Sequence, residues 1–432
     1  MSPELIGIIG LAVLMFLLFA RMWIGMAMLL VAVFGLVYLR GVEQAFTIIR
    51  TIPYSSIAFY PATAVPVFML MGIVIANTRM GEDLYDTAYK LIGQMRGGLA
   101  MATVIACALF AAISGSSTAG TVSMGKVALP EMKRHHYDER LATGCIACAG
   151  TLGILIPPSL SFILYGILTE QSIGKLFMAG LLPGILLSML MILAIVITTT
   201  MRPHSGPAGP KTSLKEKVIS LKKTWHMVLL FILVLGGIYG GIFTPTEAGS
   251  IGAFGAIIIT VITRQLTVKR FLGSLMESVV LTAMAMLLII GAFVFMKFLA
   301  LSRVPYVLSE FVTQLPVPSY AIFASIVIFY IILGMFLDII SGIVLTIPII
   351  YPVVEALGFD PVWFGVVIVI VMEMGLVTPP VGMNVFVLAG VTNTPVVNIF
   401  RGLLPFVLAM IICIIIITIF PQIALFLPRM IY

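Results

Sequence analysis

The chain has 432 residues, 61% hydrophobic and 9% charged, with a net charge of +7 and a mean hydropathy of +1.21. Soluble domains are roughly 45–50% apolar and about 25% charged, so this composition excludes a soluble enzyme or binding module and defines a polytopic membrane protein. The basic residues lie in loops between apolar runs rather than on one polar face, which excludes a nucleic-acid-binding surface.

The opening stretch MSPELIGIIG carries an acid and no basic n-region, so it reads as a first span rather than a cleaved signal. Apolar runs long enough to cross a bilayer, about 20 residues each, recur along the chain. They predict about ten spans, at 4–20, 22–39, 57–78, 139–168, 176–201, 226–243, 245–263, 275–300, 362–392 and 402–427. Two further apolar segments, 98–130 and 319–352, are interrupted midway by SGSST (Ser114–Thr118) and LDIISG (Leu337–Gly342). Each predicts a re-entrant hairpin of two half-length helices.

The positive charges orient these hairpins. Arg79, Lys90 and Arg96 precede the first, and Lys126, Lys133, Arg134 and Arg140 follow it, so the first hairpin enters from the cytoplasm. The loops around the second, QLPVPSY and EALGFDP, contain no lysine or arginine, so it enters from outside, where both chain ends also fall. The linker Arg202–Lys223 carries six basic residues and is pinned inside. It divides the chain into a half at 1–201 and a half at 226–432, joined by 202–225.

Both halves break a membrane helix at a proline pair, in GILIPPSLSF (Gly153–Phe162) and GLVTPPVGMN (Gly375–Asn384). Proline removes a backbone donor and frees carbonyls, which hydrocarbon tolerates only where the backbone is buried in protein or lines a polar cavity. A shift of 222 positions carries Pro157 onto Pro379, GLLP at Gly180–Pro183 onto Gly402–Pro405, and SGS at Ser114–Ser116 onto FLD at Phe336–Asp338. A gapless register over about 70 residues points to duplication. With five crossings and one hairpin in each half, the second copy is inverted, a recurring secondary-transporter design whose sites form where the breaks meet near the midplane.

The first half offers Ser114, Ser116, Ser117 and Thr118 at the hairpin tip, with Thr151, Pro157, Ser159 and Ser161 around the break. These are neutral hydroxyls and carbonyls, which suit a weakly held, dehydrated cation such as sodium; equally, such hydroxyls close helix–helix contacts. The second half offers Asp338 and Ser341 at the tip, with Gly375, Thr378, Pro379 and Asn384 around the break. A carboxylate near the bilayer centre costs roughly 2.5–3.5 kcal/mol on insertion scales, so Asp338 calls for a cation, a salt bridge or a shallower position. Glu373, just before the second break, reads equally as a ligand, a cap or half of an ion pair.

Other features have structural readings. Cys107, Cys145, Cys148 and Cys413 lie in apolar runs and read as small packing residues. TPTE at Thr244–Glu247 reads as a capping box with Pro245 at the first helical position. AISG at Ala112–Gly115 faintly matches an intramembrane serine nucleophile, but His135, His136, His204 and His226 all lie in or beside cytoplasmic loops, away from it. No nucleotide-binding loop is present to drive transport by ATP. An enzyme is therefore not expected.

SGSSTAG at Ser114–Gly120, IPPS at Ile156–Ser159, GKLFMAGLLPG at Gly174–Gly184, GIFTPTEAG at Gly241–Gly249 and GLVTPPVGMN at Gly375–Asn384 occur in order across nearly the whole chain. In these motifs the chain resembles the large membrane subunit of the tripartite ATP-independent periplasmic (TRAP) transporters, the DctM-like family. The family's GY after the first hairpin is HY here, at His136 and Tyr137, and Arg21 and Met22 stand where a proline is common; neither departure touches the candidate residues. The resemblance implies an all-α, elevator-type carrier of the bacterial inner membrane, with a mobile domain holding both hairpins and both broken spans. It implies sodium as coupling ion between each hairpin tip and its broken span, a periplasmic binding protein delivering a carboxylate-bearing solute, and a separate small four-helix membrane subunit. The alternatives are an intramembrane hydrolase and a carrier that needs no binding protein.

Overall fold

The computed structural model describes residues 1–431, apart from the side chains of residues 111–114. The side chain of the candidate Ser114 therefore lies outside the described residues. Among the described residues every regular element is a helix.

The helices pack in two groups. In the first, Ile24–Arg40 lies along the 35-residue helix Val268–Ser302, and Ala64–Ala76 along Pro245–Ile262. Small residues set the approach: a Cβ added to Gly25 would stand 2.9 Å from the Leu287 carbonyl oxygen, so the two backbones nearly touch there. The second group holds Gly98–Ser114 and Ser117–Arg134, the broken run Glu139–Thr169, the helix Ile173–Met201, and their counterparts from Ser319 to Ile419. The amphipathic helix Met80–Ile92 packs against both Gly98–Ser114 and Leu214–Phe231, with Thr87 donating to the Ser220 carbonyl at 3.1 Å.

The exterior is apolar and the interior holds the polar groups. Phe34 and Phe254 are more than half exposed, whereas Ser159, Ser161 and Asn384 are fully buried. A chain solvated by lipid is built this way, because only the interior can satisfy polar atoms.

Several predicted elements need correction. Among the described residues seven helices are long and apolar enough to cross a membrane alone, or nine if each sharply bent pair counts as one span. The predicted span 57–78 is the second limb of a bend: Val42–Ile57 precedes it, and Tyr60–Ala76 turns away by 54°. Hydropathy hides the first limb because Glu43, Gln44 and Arg50 lower it most, while its threonines and serines donate back to their own helix, Thr47 to Glu43 O at 3.0 Å and Ser56 to Ile52 O at 2.6 Å.

The hairpin arms are not half-length helices. The arms of the second, Ser319–Phe336 and Ile339–Ala356, have 18 residues each, about 27 Å at 1.5 Å per residue. The predicted linker 202–225 ends early, because Ser213 and Glu216 form a capping box that starts a helix at Leu214. The span predicted at 402–427 is two helices, Val396–Ile419 and Gln422–Ile431, divided at Pro421.

The capping box at Thr244 and Glu247 is present as the sequence predicts, with Thr244 N donating to Glu247 Oε2 at 2.8 Å and Glu247 N to Thr244 Oγ1 at 3.3 Å. Replacing Thr244 with alanine is expected to cost about 1 kcal/mol of stability, read as a small drop in the thermal midpoint of the detergent-solubilised protein, with transport unchanged. All four cysteines are buried and free.

Candidate translocation site

The tip of the first hairpin rests on the backbone of the first break. Gly115 has φ of +60°, which glycine adopts freely, and a Cβ there would stand 3.1 Å from the Pro158 carbonyl. A Cβ on Gly153 would stand 2.9 Å from the Ser116 carbonyl, and Gly150 faces Thr121 Oγ1 and the Ser117 carbonyl. Glycines at 115, 150 and 153 thus let two irregular backbones meet.

The hydroxyls around this contact have different occupations. Ser116 caps Ser117–Arg134, accepting from Ala119 N at 3.3 Å, and its Oγ lies 3.1 Å from Thr118 Oγ1. Thr151 donates to the Cys148 carbonyl at 2.6 Å, and Ser159 caps Leu160–Thr169 by accepting from Phe162 N. Ser117 is 2% exposed, and the Ser161 hydroxyl is buried with no partner. Residues 151–159, including Pro157, are buried throughout.

The second hairpin meets its break further back. Gly334, in the first arm, packs against the end of Pro361–Gly375: a Cβ on Gly375 would stand 2.6 Å from Gly334 Cα. Asp338 is half-buried and caps Ile339–Ala356, accepting from the N–H of the buried Ser341 at 3.1 Å. Thr378 donates to the Met374 carbonyl. Asn384 donates its backbone N–H to the Leu376 carbonyl at 3.1 Å, while both polar atoms of its fully buried amide lack partners. Among the described residues no hydrogen bond joins Asp338 to Thr378 or Asn384, so the second tip and break are not bonded as candidates for one site. Pro379, Pro380 and Val381 are exposed, unlike their buried counterparts.

Local geometry repeats between the halves. The caps Ser116 and Asp338, the caps Asp138 and Asp360, and the cis bonds Pro157–Pro158 and Pro379–Pro380 are all 222 positions apart. After the breaks the spacing becomes 223: Leu160–Thr169 corresponds to Met383–Thr392, and the left-handed caps Glu170 and Asn393 have φ of 55° and 52°. The register is therefore not gapless. The extra residue falls between Pro380 and Met383, beside Gly382 at φ +64°. This shift makes Ser161 and Asn384 counterparts, each in the first turn of the helix after a break, and each holding a buried side chain without a partner.

Orphaned buried polar atoms next to freed carbonyls are what a transported polar species would satisfy. Hydroxyl, amide and carbonyl oxygens suit a sodium ion, and the N-terminal ends of the two ten-residue helices suit an anionic group.

Glu373 stands out here more than in the sequence. It is 1% exposed, and among the described residues neither carboxylate oxygen has a hydrogen-bond partner. Ser117 lies within electrostatic reach but makes no bond of ordinary geometry with it. The ion pair or cap that the sequence allows is not formed. Its position just before the proline pair was the available signal; the want of a partner is visible only in three dimensions.

Helices broken at two proline pairs, with buried polar atoms beside each break and apolar surface outward, define a membrane carrier. Residues 11–423 match the family described as "Tripartite ATP-independent periplasmic transporter, DctM component". The chain belongs to that family and is a large permease subunit of a TRAP transporter, a multi-pass protein of the bacterial inner membrane. It is similar to the C4-dicarboxylate TRAP transporter large permease protein DctM of Pseudomonas aeruginosa, 38% identical over 86% of each chain. It is also similar to the sialic acid TRAP transporter large permease protein SiaM of Vibrio cholerae, 31% identical over 96% of each. The isethionate TRAP transporter permease protein DctMQ of Oleidesulfovibrio alaskensis is 33% identical over 88% of this chain and 60% of its own longer length. These relatives are permeases, which sets the hydrolase alternative aside.

Among solved structures, the YdaH transporter of Alcanivorax borkumensis shares the fold, with a TM-score of 0.64 at 12% identity, covering 90% of this chain and 89% of that one. MtrF of Neisseria gonorrhoeae gives a TM-score of 0.58 at 13% identity over 90% and 85%.

Proposed function

We propose that this chain moves a small organic anion, carboxylate-bearing as the names of its C4-dicarboxylate and sialic acid relatives suggest, into the cell by sodium-coupled secondary transport. The observation that carries the reading is the repeated break, with buried unpartnered side chains at the equivalent positions Ser161 and Asn384. Sodium is bound near the hairpin tips, by Ser116, Ser117 and Thr118 with freed carbonyls between Thr151 and Ser161 on one side, and by Asp338, Ser341, Thr378 and carbonyls at Gly375 and Pro379 on the other. The two halves are inverted repeats, with the first hairpin open to the cytoplasm and the second to the periplasm.

The packing supports an elevator. The group holding both hairpins and both breaks moves against the group built on Ile24–Arg40 and Val268–Ser302. A periplasmic binding protein delivers the solute, and a small four-helix membrane subunit braces the stationary group, as the longer isethionate relative would allow by fusing the two subunits. Lipid covers the apolar exterior. Each net positive charge moved inward gains roughly 2.3 kcal/mol per 100 mV of membrane potential, so two or more sodium ions draw an anion uphill.

Proteoliposomes containing this chain, its small partner and the binding protein loaded with its solute are expected to accumulate that solute when an inward sodium gradient is imposed. Equal uptake after potassium replaces sodium on both sides overturns the coupling. Uptake that persists without the binding protein favours a self-sufficient carrier.

A further inference from the structure

We propose that Glu373 takes up one positive charge in each transport cycle, as a proton on its carboxyl or a sodium ion against it, at a site separate from the hairpin-tip oxygens. This rests on the carrier reading above and adds to it a residue that acts through charge.

The carboxyl group is buried at 1% exposure, and among the described residues neither oxygen has a hydrogen-bond partner of ordinary geometry. It lies in the last turn of Pro361–Gly375, the negative end of that helix's dipole, where an anion is disfavoured further. A carboxylate so placed is unstable without a compensating positive charge. Among the described residues no lysine, arginine or histidine acts on it.

Titratable groups on and around the second hairpin and its broken span are engaged elsewhere. Tyr165 donates to the Pro361 carbonyl at 2.7 Å, Tyr330 accepts from Thr346 at 2.7 Å, Cys413 faces the Pro183 carbonyl, and Asp338 caps its own helix. Cys148, in the helix before the first break, is a titratable side chain within electrostatic reach of Glu373.

Comparison with the first half argues against a packing role. At the 222 spacing Glu373 corresponds to Thr151, whose hydroxyl is satisfied by the Cys148 carbonyl. The first half thus fills the position with a neutral, self-satisfied group, and the second half with an acid that needs an external cation. The neighbours explain how such a site would couple to movement. Ser117 begins the second arm of the first hairpin and Cys148 belongs to the first broken run, so Glu373 lies within electrostatic reach of both from the opposite half. Any displacement of the first hairpin changes the polarity around the carboxyl.

The test compares the wild-type complex with Glu373→Gln and Glu373→Asp in proteoliposomes, measuring charge moved per solute by solid-supported-membrane current together with labelled-solute uptake. Glu373→Gln is expected to move one positive charge fewer per solute, and Glu373→Asp to keep the wild-type value. If the charge is a proton, uptake at a fixed sodium gradient varies with pH in the wild type and becomes flat in Glu373→Gln. If it is sodium, the sodium-concentration dependence loses one order in Glu373→Gln and the pH profile is unchanged. A Glu373→Gln complex with wild-type charge, sodium order and pH profile overturns the proposal.

A measurement on the wild type guards against a variant that fails to fold. Dicyclohexylcarbodiimide modifies protonated buried carboxyls, and mass spectrometry is expected to find modification at Glu373 that sodium or raised pH suppresses. Modification that responds to neither overturns the proposal. Uptake indifferent to sodium, with modification responsive to pH, overturns the sodium reading and supports Glu373 as a proton site.

Discussion

Gly402→Val is expected to prevent recovery of monodisperse protein from membranes, and Gly402→Ala to lower its thermal midpoint by several degrees. The helices Glu139–Gly150 and Val396–Ile419 cross with their backbones in contact at Gly144 and Gly402. A Cβ on Gly402 would overlap the Arg140 carbonyl oxygen and stand 2.6 Å from its carbon, and one on Gly144 would overlap the Gly402 carbonyl. Overpacking a core costs about 1–3 kcal/mol where side chains can rotate away. Here the obstacle is backbone on both sides, so the cost lies at the upper end or above.

The control is Gly273→Ala in the long helix Val268–Ser302, where an added Cβ meets nothing within 4 Å. Helix propensity alone then acts, giving about 0.5–1 kcal/mol of stabilisation. Size-exclusion profiles and thermal unfolding of the three variants check this. A Gly402→Val protein that runs and melts like the wild type would mean that the two helices do not cross at these glycines.

The same crossing shows what the sequence could and could not convey. The proline pairs, the polar hairpin tips and the Thr244 capping box are local signals, each fixed by a few adjacent residues, and they were legible. Val42–Ile57 was not, because Glu43, Gln44 and Arg50 lower its hydropathy while its hydroxyls bond within the helix. Met80–Ile92 was missed for a related reason: Glu82, Asp83, Asp86 and Lys90 put it below any membrane threshold, yet its other face buries Leu84, Tyr85 and Ala88.

The correspondence of Ser161 with Asn384 was hidden more subtly. The proline pairs and the GLLP segments both match at 222, so the intervening shift to 223 leaves no trace in the residue identities. The bounds of Leu160–Thr169 and Met383–Thr392 and the left-handed caps Glu170 and Asn393 reveal it. Glu373 illustrates the remaining limit, since a partner for an acid can come from any helix, and its lack of one is a property of the packed molecule.

Asp338 offers the clearest separation of a structural role from a coupling role. It caps its helix by accepting from Ser341 N, and Ser116 performs the same task in the first half with an uncharged hydroxyl. The cap therefore requires an acceptor and no charge. Asparagine caps about as well as aspartate, whereas alanine loses about 1 kcal/mol. Asp338→Asn is accordingly expected to leave the thermal midpoint near the wild-type value, and Asp338→Ala to lower it slightly.

Sodium dependence should follow the charge instead of the cap. Removing a carboxylate ligand from a sodium site is expected to weaken sodium affinity about tenfold or more, about 1.4 kcal/mol, so both variants should require correspondingly higher sodium for half-maximal uptake. Sodium titrations of uptake, read beside the thermal midpoints, distinguish the outcomes. If Asp338→Asn takes up solute with wild-type sodium dependence, the carboxylate serves only as a cap, and the second sodium site must be sought at the break around Gly375, Thr378 and Asn384.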